Sequence, residues 1–267
     1  MTTIRLDYAD LLLPALLVVL NGALSLGLRL RLERQLAVAA LRMIVQLLLV
    51  GYVLTLLFAL VSPWLTALAA LVMVLSAGHE ISARQHRPLS GRWTYGLGTA
   101  CMLMAAGTGT GFALLTQLRP EPWYHPRYAL PLLGMVLGNT MTGISLGLDV
   151  LSTGLLQQRA GVEARLALGA TRREALLPVM RAALRSGFMP IVNSMAATGL
   201  VALPGMMTGQ ILAGAAPVEA VKYQILVMFL ISGGTGLGTL AAVFAAAYRL
   251  TDSRHRLRLD RLRPPKG

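Results

Sequence analysis

Between Gln157 and Arg185 the chain reads QQRAGVEARLALGATRREALLPVMRAALR, its longest polar and basic segment between apolar runs. Apolar runs on both sides are long enough to cross a bilayer, which takes about 20 residues. A polar insert of this size, rich in arginine and alanine, is what a membrane protein would present to a partner in the cytoplasm. The segment therefore predicts a multi-pass membrane protein with one docking element.

Seven apolar runs follow one another along the chain. They lie at about 10–28, 36–61, 64–83, 93–118, 128–156, 186–203 and 220–248. Only 13% of the 267 residues are charged, against about 25% in a soluble domain. We predict an all-α, polytopic transmembrane bundle of about seven spans, with residues 1–267 forming a single permease domain in the inner (plasma) membrane.

The segment 204–217, PGMMTGQILAGAAP, leaves an alternative open. Its glycines and prolines are compatible with a loop, a re-entrant segment or a broken helix. If one of the seven runs is re-entrant, the protein has six spans and its N-terminus lies inside.

The placement of basic residues predicts the orientation. With seven spans and a cytoplasmic C-terminus, the outer side holds only Arg5, Arg119, Arg127 and Lys222, which leaves 20 of the 24 basic residues inside. Lysine and arginine accumulate on the cytoplasmic side of membrane proteins. We therefore expect the N-terminus outside, and both the 157–185 insert and the basic tail, residues 249–267, in the cytoplasm.

The insert itself predicts a helix–turn–helix. Glu163 and Ala164 open an alanine- and leucine-rich helix, and Gly169 can end it in a left-handed conformation. Thr171 then caps a second helix, with Glu174 three residues on completing a capping box. Pro178 is expected to mark the junction with the following membrane helix. The alternative is a basic loop that lies on anionic lipid headgroups.

Motifs for catalysis and nucleotide binding are absent from the sequence. It contains no G-x-x-x-x-G-K-[ST] and no recognisable catalytic set, so we predict a non-enzymatic permease without a cofactor of its own. If ATP is the energy source, ATP and Mg²⁺ must bind to another subunit. The G-x-x-x-G pairs at 134/138, 143/147 and 205/209 favour close helix packing and a homodimer.

Two sets of residues resemble known transporters. The EARLALGAT…LLP segment is similar to the coupling loop of ABC-transporter permeases, a cytoplasmic helix pair that contacts the ATP-binding subunit. The GNT sequence at 138–140, LPGMMTGQ at 203–210 and Tyr223-Gln224 resemble the FetB (YbbM) family of permeases, at a similar length and over most of the chain.

The resemblance implies a function. It implies an ABC-transporter permease that works with a FetA-type ATP-binding subunit and is linked to iron export, metal homeostasis and oxidative-stress resistance. Plant relatives are associated with aluminium tolerance, and one with UDP-glucose transport. The alternatives are a permease for another solute, such as a nucleotide sugar, and a stand-alone channel or secondary transporter. The resemblance also assigns ATPase coupling to Glu163, Ala164, Gly169, Thr171, Glu174 and Pro178.

Polar and sulfur-bearing side chains at membrane depth are candidates for a translocation path. They are Asn139, Thr140, Asn193, Ser194, Met206, Met207 and Gln210. Such polar residues usually face the bundle or a cavity, where they also form ordinary interhelical hydrogen bonds. Methionine thioethers suit Cu(I) better than iron, but methionine is also a common core filler.

Two further features could contact ions or partners. His79 and Glu80 form a histidine–carboxylate pair near a membrane edge that could bind a divalent cation, or could simply be a polar helix end. The basic tail could contact membrane lipids or the ATP-binding subunit. We do not expect nucleic-acid binding, because no aromatic residues alternate with the arginines after Tyr248.

Overall fold

The computed structural model describes residues 7–252, 254 and 256–264. Within these residues the chain forms nine α-helices and no β-strand, which confirms the predicted all-α fold class. The helices are α1 (Leu12–Gly27), α2 (Glu33–Leu60), α3 (Pro63–Arg84), α4 (Trp93–Phe112), α5 (Pro126–Gln157), α6 (Arg159–Ala167), α7 (Arg172–Ala197), α8 (Gly205–Leu212) and α9 (Pro217–Arg249). Helices satisfy every backbone hydrogen bond internally, as a bilayer requires.

Six helices are long and apolar enough to cross a membrane. They are α2, α3, α4 with the π-helical segment Ala113–Leu118 that continues it, α5, α7 and α9. The first predicted run forms the 16-residue α1, preceded by the 3-10 turn Tyr8–Leu11. Because α1 is shorter than the about 20 residues of a full span, the seventh span and the orientation stay predictions.

The first compact unit comprises the described residues up to Val61 together with 212–214. In this unit the buried Ser25 links the end of α1 to the start of α2. Its hydroxyl donates a hydrogen bond to Glu33 Oε2 at 3.1 Å and accepts one from the N–H of Leu32 at 3.0 Å. Most side chains of α2 are exposed leucines, valines and other apolar residues. Such a surface is suited to contact with lipid.

The second unit comprises residues 62–211 and 215 onward, and α5 lies at its centre. α5 packs against α3, α4, α7 and α9. A close crossing joins α5, α7 and α9, where a Cβ added to Gly143 would lie 2.7 Å from Thr235 Cγ2 and 2.9 Å from the Gly187 carbonyl oxygen. Glycine thus allows the three backbones to approach closely.

The prediction for Pro178 is wrong in one respect. α7 does not end there but continues from Arg172 through Pro178 and Pro190 to Ala197. Proline in a membrane helix is tolerated where neighbouring groups satisfy the freed carbonyl. As a result, the second helix of the predicted helix pair and the sixth apolar run are one continuous helix.

The segment 204–217 is an interrupted helix rather than a plain loop. α8 begins at Gly205, directly after Pro204, and ends at Leu212. Gly214 then has φ +96° and Pro217 starts α9. The eight residues of α8 are too few to span a bilayer.

Candidate functional site

The turn between α6 and α7 has the predicted left-handed glycine. Gly169 has φ +90°; its N–H donates to the Leu166 carbonyl at 3.1 Å and that of Ala170 to the Arg165 carbonyl at 3.0 Å. This pair of bonds is the Schellman arrangement, in which a glycine ends a helix without the steric cost of a Cβ. The turn is therefore an ordered one, in which hydrogen bonds fix the path of the chain from α6 to α7.

The capping box of α7 is confirmed. The amide N–H of Glu174 donates to Thr171 Oγ1 at 3.4 Å, and the amide N–H of Thr171 donates to Glu174 Oε2 at 2.9 Å. These bonds satisfy two of the four amide groups that a helix start leaves unpaired. The start of α7 is thus held directly after the Gly169 turn.

Thr171→Ala is expected to loosen this helix start. Losing an N-cap costs about 1 kcal/mol, so amide exchange in the first turn of α7 should become about fivefold faster by hydrogen–deuterium exchange mass spectrometry. Thr171→Ser, which keeps the oxygen, is the control and should exchange at the parent rate. Equal exchange in the alanine and serine variants would contradict the role of the cap.

The six predicted coupling residues share one property: all are exposed. They are Glu163, Ala164, Gly169, Thr171, Glu174 and Pro178. Val162, by contrast, is buried and belongs to the hydrophobic core. Leu168, at the turn, is 88% exposed. The apolar face of α6 therefore packs against the core, and the exposed Leu168 lies beside it. Such an exposed apolar residue is suited to contact with a protein partner.

A groove of about 280 Å³ adjoins the turn. It lies between the first half of α7 and the end of α9 and is lined by Arg172, Arg173, Leu176 and Tyr248, among others. The Arg172 guanidinium lies 4.4 Å from the centre of the Tyr248 ring, and this cation–π contact links the two helices. Sequence reasoning missed it, because 76 positions separate the two residues in the chain.

The described part of the basic tail folds back onto its own chain. The Ser90 N–H donates to the Arg261 carbonyl at 2.7 Å, and the Arg263 N–H donates to the Pro88 carbonyl at 2.9 Å. Arg261 Nη1 also donates to the Arg249 carbonyl at 2.6 Å. The tail thus binds the α3–α4 loop. The predicted contacts with lipid or an ATP-binding subunit stay predictions.

Deleting the chain after Arg256 is expected to expose the α3–α4 loop. Exchange at the Ser90 amide should become at least tenfold faster, because that N–H loses its acceptor on Arg261. Amides at the centre of α5, which do not contact the tail, provide the internal control. An unchanged rate at Ser90 would show that the tail is not needed to order the loop.

The acidic residues of the tail predict its pH dependence. The hydrogen bonds from Arg258 lower the pKa of Asp260 to about 2, and the backbone N–H of Arg256 lowers that of Asp252. Because both pKa values are lowered in the folded state, these contacts stabilise the tail fully above pH 4 and are lost as pH falls toward 2. Protection at Ser90, corrected for intrinsic exchange, should stay constant from pH 8 to 5 and fall below about pH 4. A fall between pH 8 and 5 would contradict this assignment.

The seven predicted path residues differ in how exposed they are. Asn139, Asn193 and Ser194 are exposed, whereas Thr140 is fully buried against α9. Asn139 Nδ2 donates to the Met135 carbonyl of its own helix at 2.9 Å. Their role in a translocation path stays a prediction.

Met207 lines a second cavity, of about 530 Å³. This cavity lies between the end of α7, the segment that leads into α8, and the first half of α9. Its lining includes Met195, Met207, Gln224 and Met228. Met206 instead packs against the core. Gln224 and Met228 were missed as lining residues, although their i, i+4 spacing places them on one helix face.

Gln210 lies on α8. Its Oε1 is buried without a hydrogen-bond partner among the described residues. Such an atom is a candidate for contact with a ligand. Its role in a path is still a prediction.

His79 and Glu80 lie in the last turns of α3. His79 is exposed, and Glu80 pairs with Arg84 at 3.6 Å. In the described part of the chain, no group of three or more histidine, cysteine, aspartate or glutamate side chains is placed to hold a metal ion. The pair therefore gains no further ligand of these types from the described residues, and its role in metal binding stays a prediction.

The fold and these features define a multi-pass helical membrane protein with a short exposed helix and turn between two long membrane helices, α5 and α7. Residues 8–251 match the family described as "Uncharacterised protein family (UPF0014)". The chain belongs to this family.

Relatives of the chain are membrane proteins and a permease. It is 39% identical to a UPF0014 membrane protein of Synechocystis, over 94% of this chain and 96% of the relative. It is 32% identical to the "Probable iron export permease protein FetB" of Escherichia coli (95% and 96%) and 35% identical to "Protein ALUMINUM SENSITIVE 3" of Arabidopsis thaliana (86% and 82%). No solved structure matches the chain. The family resemblance and the multi-pass membrane location are confirmed, and helical spans fit the inner membrane.

Proposed function

We propose that this chain is the membrane-spanning subunit of an ATP-driven ABC transporter that exports iron or another metal ion. It works as a homodimer with two FetA-type ATP-binding subunits, which bind ATP and Mg²⁺. The exposed turn between α6 and α7 is the observation that carries the proposal. The name of the Escherichia coli relative supports export of a metal ion.

The coupling mechanism follows from the continuity of α7. Its 26 residues extend for about 39 Å at 1.5 Å per residue. One end follows the Gly169 turn, and Gly187 lies at the close crossing with α5 and α9. When the ATP-binding subunits close, they move the turn, and α7 carries that movement to the crossing as a lever. Repacking there switches the access of the path between the two sides.

Exposed polar residues within the helices support the homodimer. Asn139 on α5 and Asn193 on α7 are exposed within a single chain. Polar side chains at membrane depth are costly against lipid and usually face protein or a water-filled cavity. A second copy of this chain would cover them and would place them along a path between the two copies.

The proposal is tested by reconstitution. The chain is co-expressed with a candidate ATP-binding protein of the same organism, one that carries a G-x-x-x-x-G-K-[ST] motif, purified, and placed in proteoliposomes. We expect co-purification, and ATP hydrolysis that rises when Fe²⁺ or another metal ion is added. Metal movement that persists without ATP would instead indicate a channel or a secondary transporter, and absence of any bound ATP-binding protein would refute the ABC assignment.

A further inference from the structure

The cavity between α7, α8 and α9 presents electron-pair donors from three separate elements. Met195 lies on α7, Met207 on α8 and Met228 on α9, and all three line the cavity. Core-filling methionines occupy the space between helices. Here, three of the thirteen methionines in the chain surround about 530 Å³ of space instead.

Two polar side chains, Gln224 and Thr198, also line this cavity. Gln224 is only 6% exposed, and its Oε1 has no hydrogen-bond partner among the described residues. Thr198 already donates its hydroxyl hydrogen to the Ser194 carbonyl at 2.7 Å, so its oxygen offers lone pairs. Buried polar atoms in native proteins are almost always satisfied. The lining of the cavity therefore suits an electron-pair acceptor such as a metal cation.

The charge of the cavity restricts which cation fits. No lysine, arginine, histidine or carboxylate is among the described residues that line it. A phosphate-bearing solute would find no positive partner there, and a divalent ion would find no carboxylate to neutralise it. Burying a charge without a partner of opposite sign is costly, so a single positive charge suits this neutral lining better than a multiple charge.

Thioethers prefer soft metal ions such as Cu(I), whereas iron favours oxygen and nitrogen donors. We propose that Met195, Met207, Met228 and Gln224 form a binding site for a soft monovalent metal ion of the Cu(I)/Ag(I) class. The proposal rests on the transport function proposed above and names the class of ion that passes this cavity.

Silver titration of the purified protein tests the site. Ag⁺ is the probe because it stays monovalent, and the titration is done calorimetrically in a chloride-free detergent buffer. All proteins carry Cys101→Ala, so that the buried thiol cannot take the ion. We expect one Ag⁺ per chain at this site, with an affinity at least tenfold above that for Fe²⁺ or Zn²⁺.

Variants locate the site. Combined replacement of Met195, Met207 and Met228 by leucine should weaken Ag⁺ binding at least tenfold, and Gln224→Leu alone should weaken it about threefold. The matched control replaces Met73, Met135 and Met141, which are half-buried like Met207 and Met228 but do not line the cavity. This control should bind Ag⁺ like the parent. Met228→Leu alone, with an expected loss of about threefold, replaces the triple variant if gel filtration shows that the triple variant is misfolded.

The outcomes separate this proposal from the transport function. Equal Ag⁺ affinity in the parent and the cavity variant, or equal losses in both triple variants, would overturn the site. If the cavity variant loses Ag⁺ binding but its ATP hydrolysis still responds to Fe²⁺, the transported ion does not pass this cavity, and that part of the proposal is wrong. Ag⁺ binding at the cavity without any coupled ATP hydrolysis would leave the site standing and refute the transporter assignment.

Discussion

Leu168→Asp is expected to abolish the stimulation of ATP hydrolysis in the partner subunit while leaving the membrane bundle folded. Leu168 is 88% exposed beside a turn whose direction is set by Gly169. Burying a leucine contributes about 1.5–3 kcal/mol, and burying an unpaired carboxylate in its place costs considerably more. We therefore expect stimulated hydrolysis to fall at least tenfold. It is measured with the co-purified complex in proteoliposomes.

Two conservative variants control for the shape of the turn. Leu168→Met keeps an apolar side chain and should keep at least half of the stimulation. Gly169→Asn should be milder than Gly169→Val, since asparagine tolerates the left-handed region and a β-branched residue does not. If Leu168→Asp couples as well as Leu168→Met, this surface does not bind the ATP-binding subunit.

Gly143→Ala is expected to destabilise the bundle strongly. The added Cβ would lie 2.7 Å from both Thr235 Cγ2 and Thr239 Oγ1 and 2.9 Å from the Gly187 carbonyl oxygen. Overpacking of this kind costs about 1–3 kcal/mol, and the backbone oxygen cannot rotate away. We expect a lower unfolding midpoint in mixed micelles of a mild detergent and dodecyl sulfate, and a lower yield of folded protein.

Gly138→Ala, on the same helix, is the matched control. A Cβ at Gly138 would meet nothing within 4 Å, so this variant should unfold like the parent. The two substitutions make the same chemical change, and the difference between them therefore reports the crossing alone. Equal midpoints would contradict the close approach of α5, α7 and α9.

Local sequence patterns predicted much of this fold. Long apolar runs indicated the membrane helices because a bilayer demands a fixed length of apolar residues. The Thr171–Glu174 spacing and Gly169 predicted the capping box and the left-handed turn, since capping depends on residues three or four positions apart. Features that are set within one helical turn were readable from the sequence alone.

Features that depend on distant residues were not readable in this way. The bond between Ser90 and Arg261 joins positions 171 residues apart and leaves no pattern in the sequence around either residue. The continuity of α7 through Pro178 is decided by packing, which overrides the local tendency of proline to end a helix. The methionine-lined cavity likewise needs three helices to meet, so the predicted path residues included Met207 but not Gln224 or Met228.

Photo-crosslinking from position 168 tests the central claim most directly. A photo-reactive amino acid replaces Leu168 in one protein and Trp123 in another; both positions are exposed, and Trp123 lies in the loop before α5. After irradiation of intact membranes, the crosslinked product is identified by mass spectrometry. We predict that position 168 captures a protein with a G-x-x-x-x-G-K-[ST] motif and that position 123, expected on the outer side, does not. Capture of no such protein from position 168, or equal capture from both positions, would contradict the account.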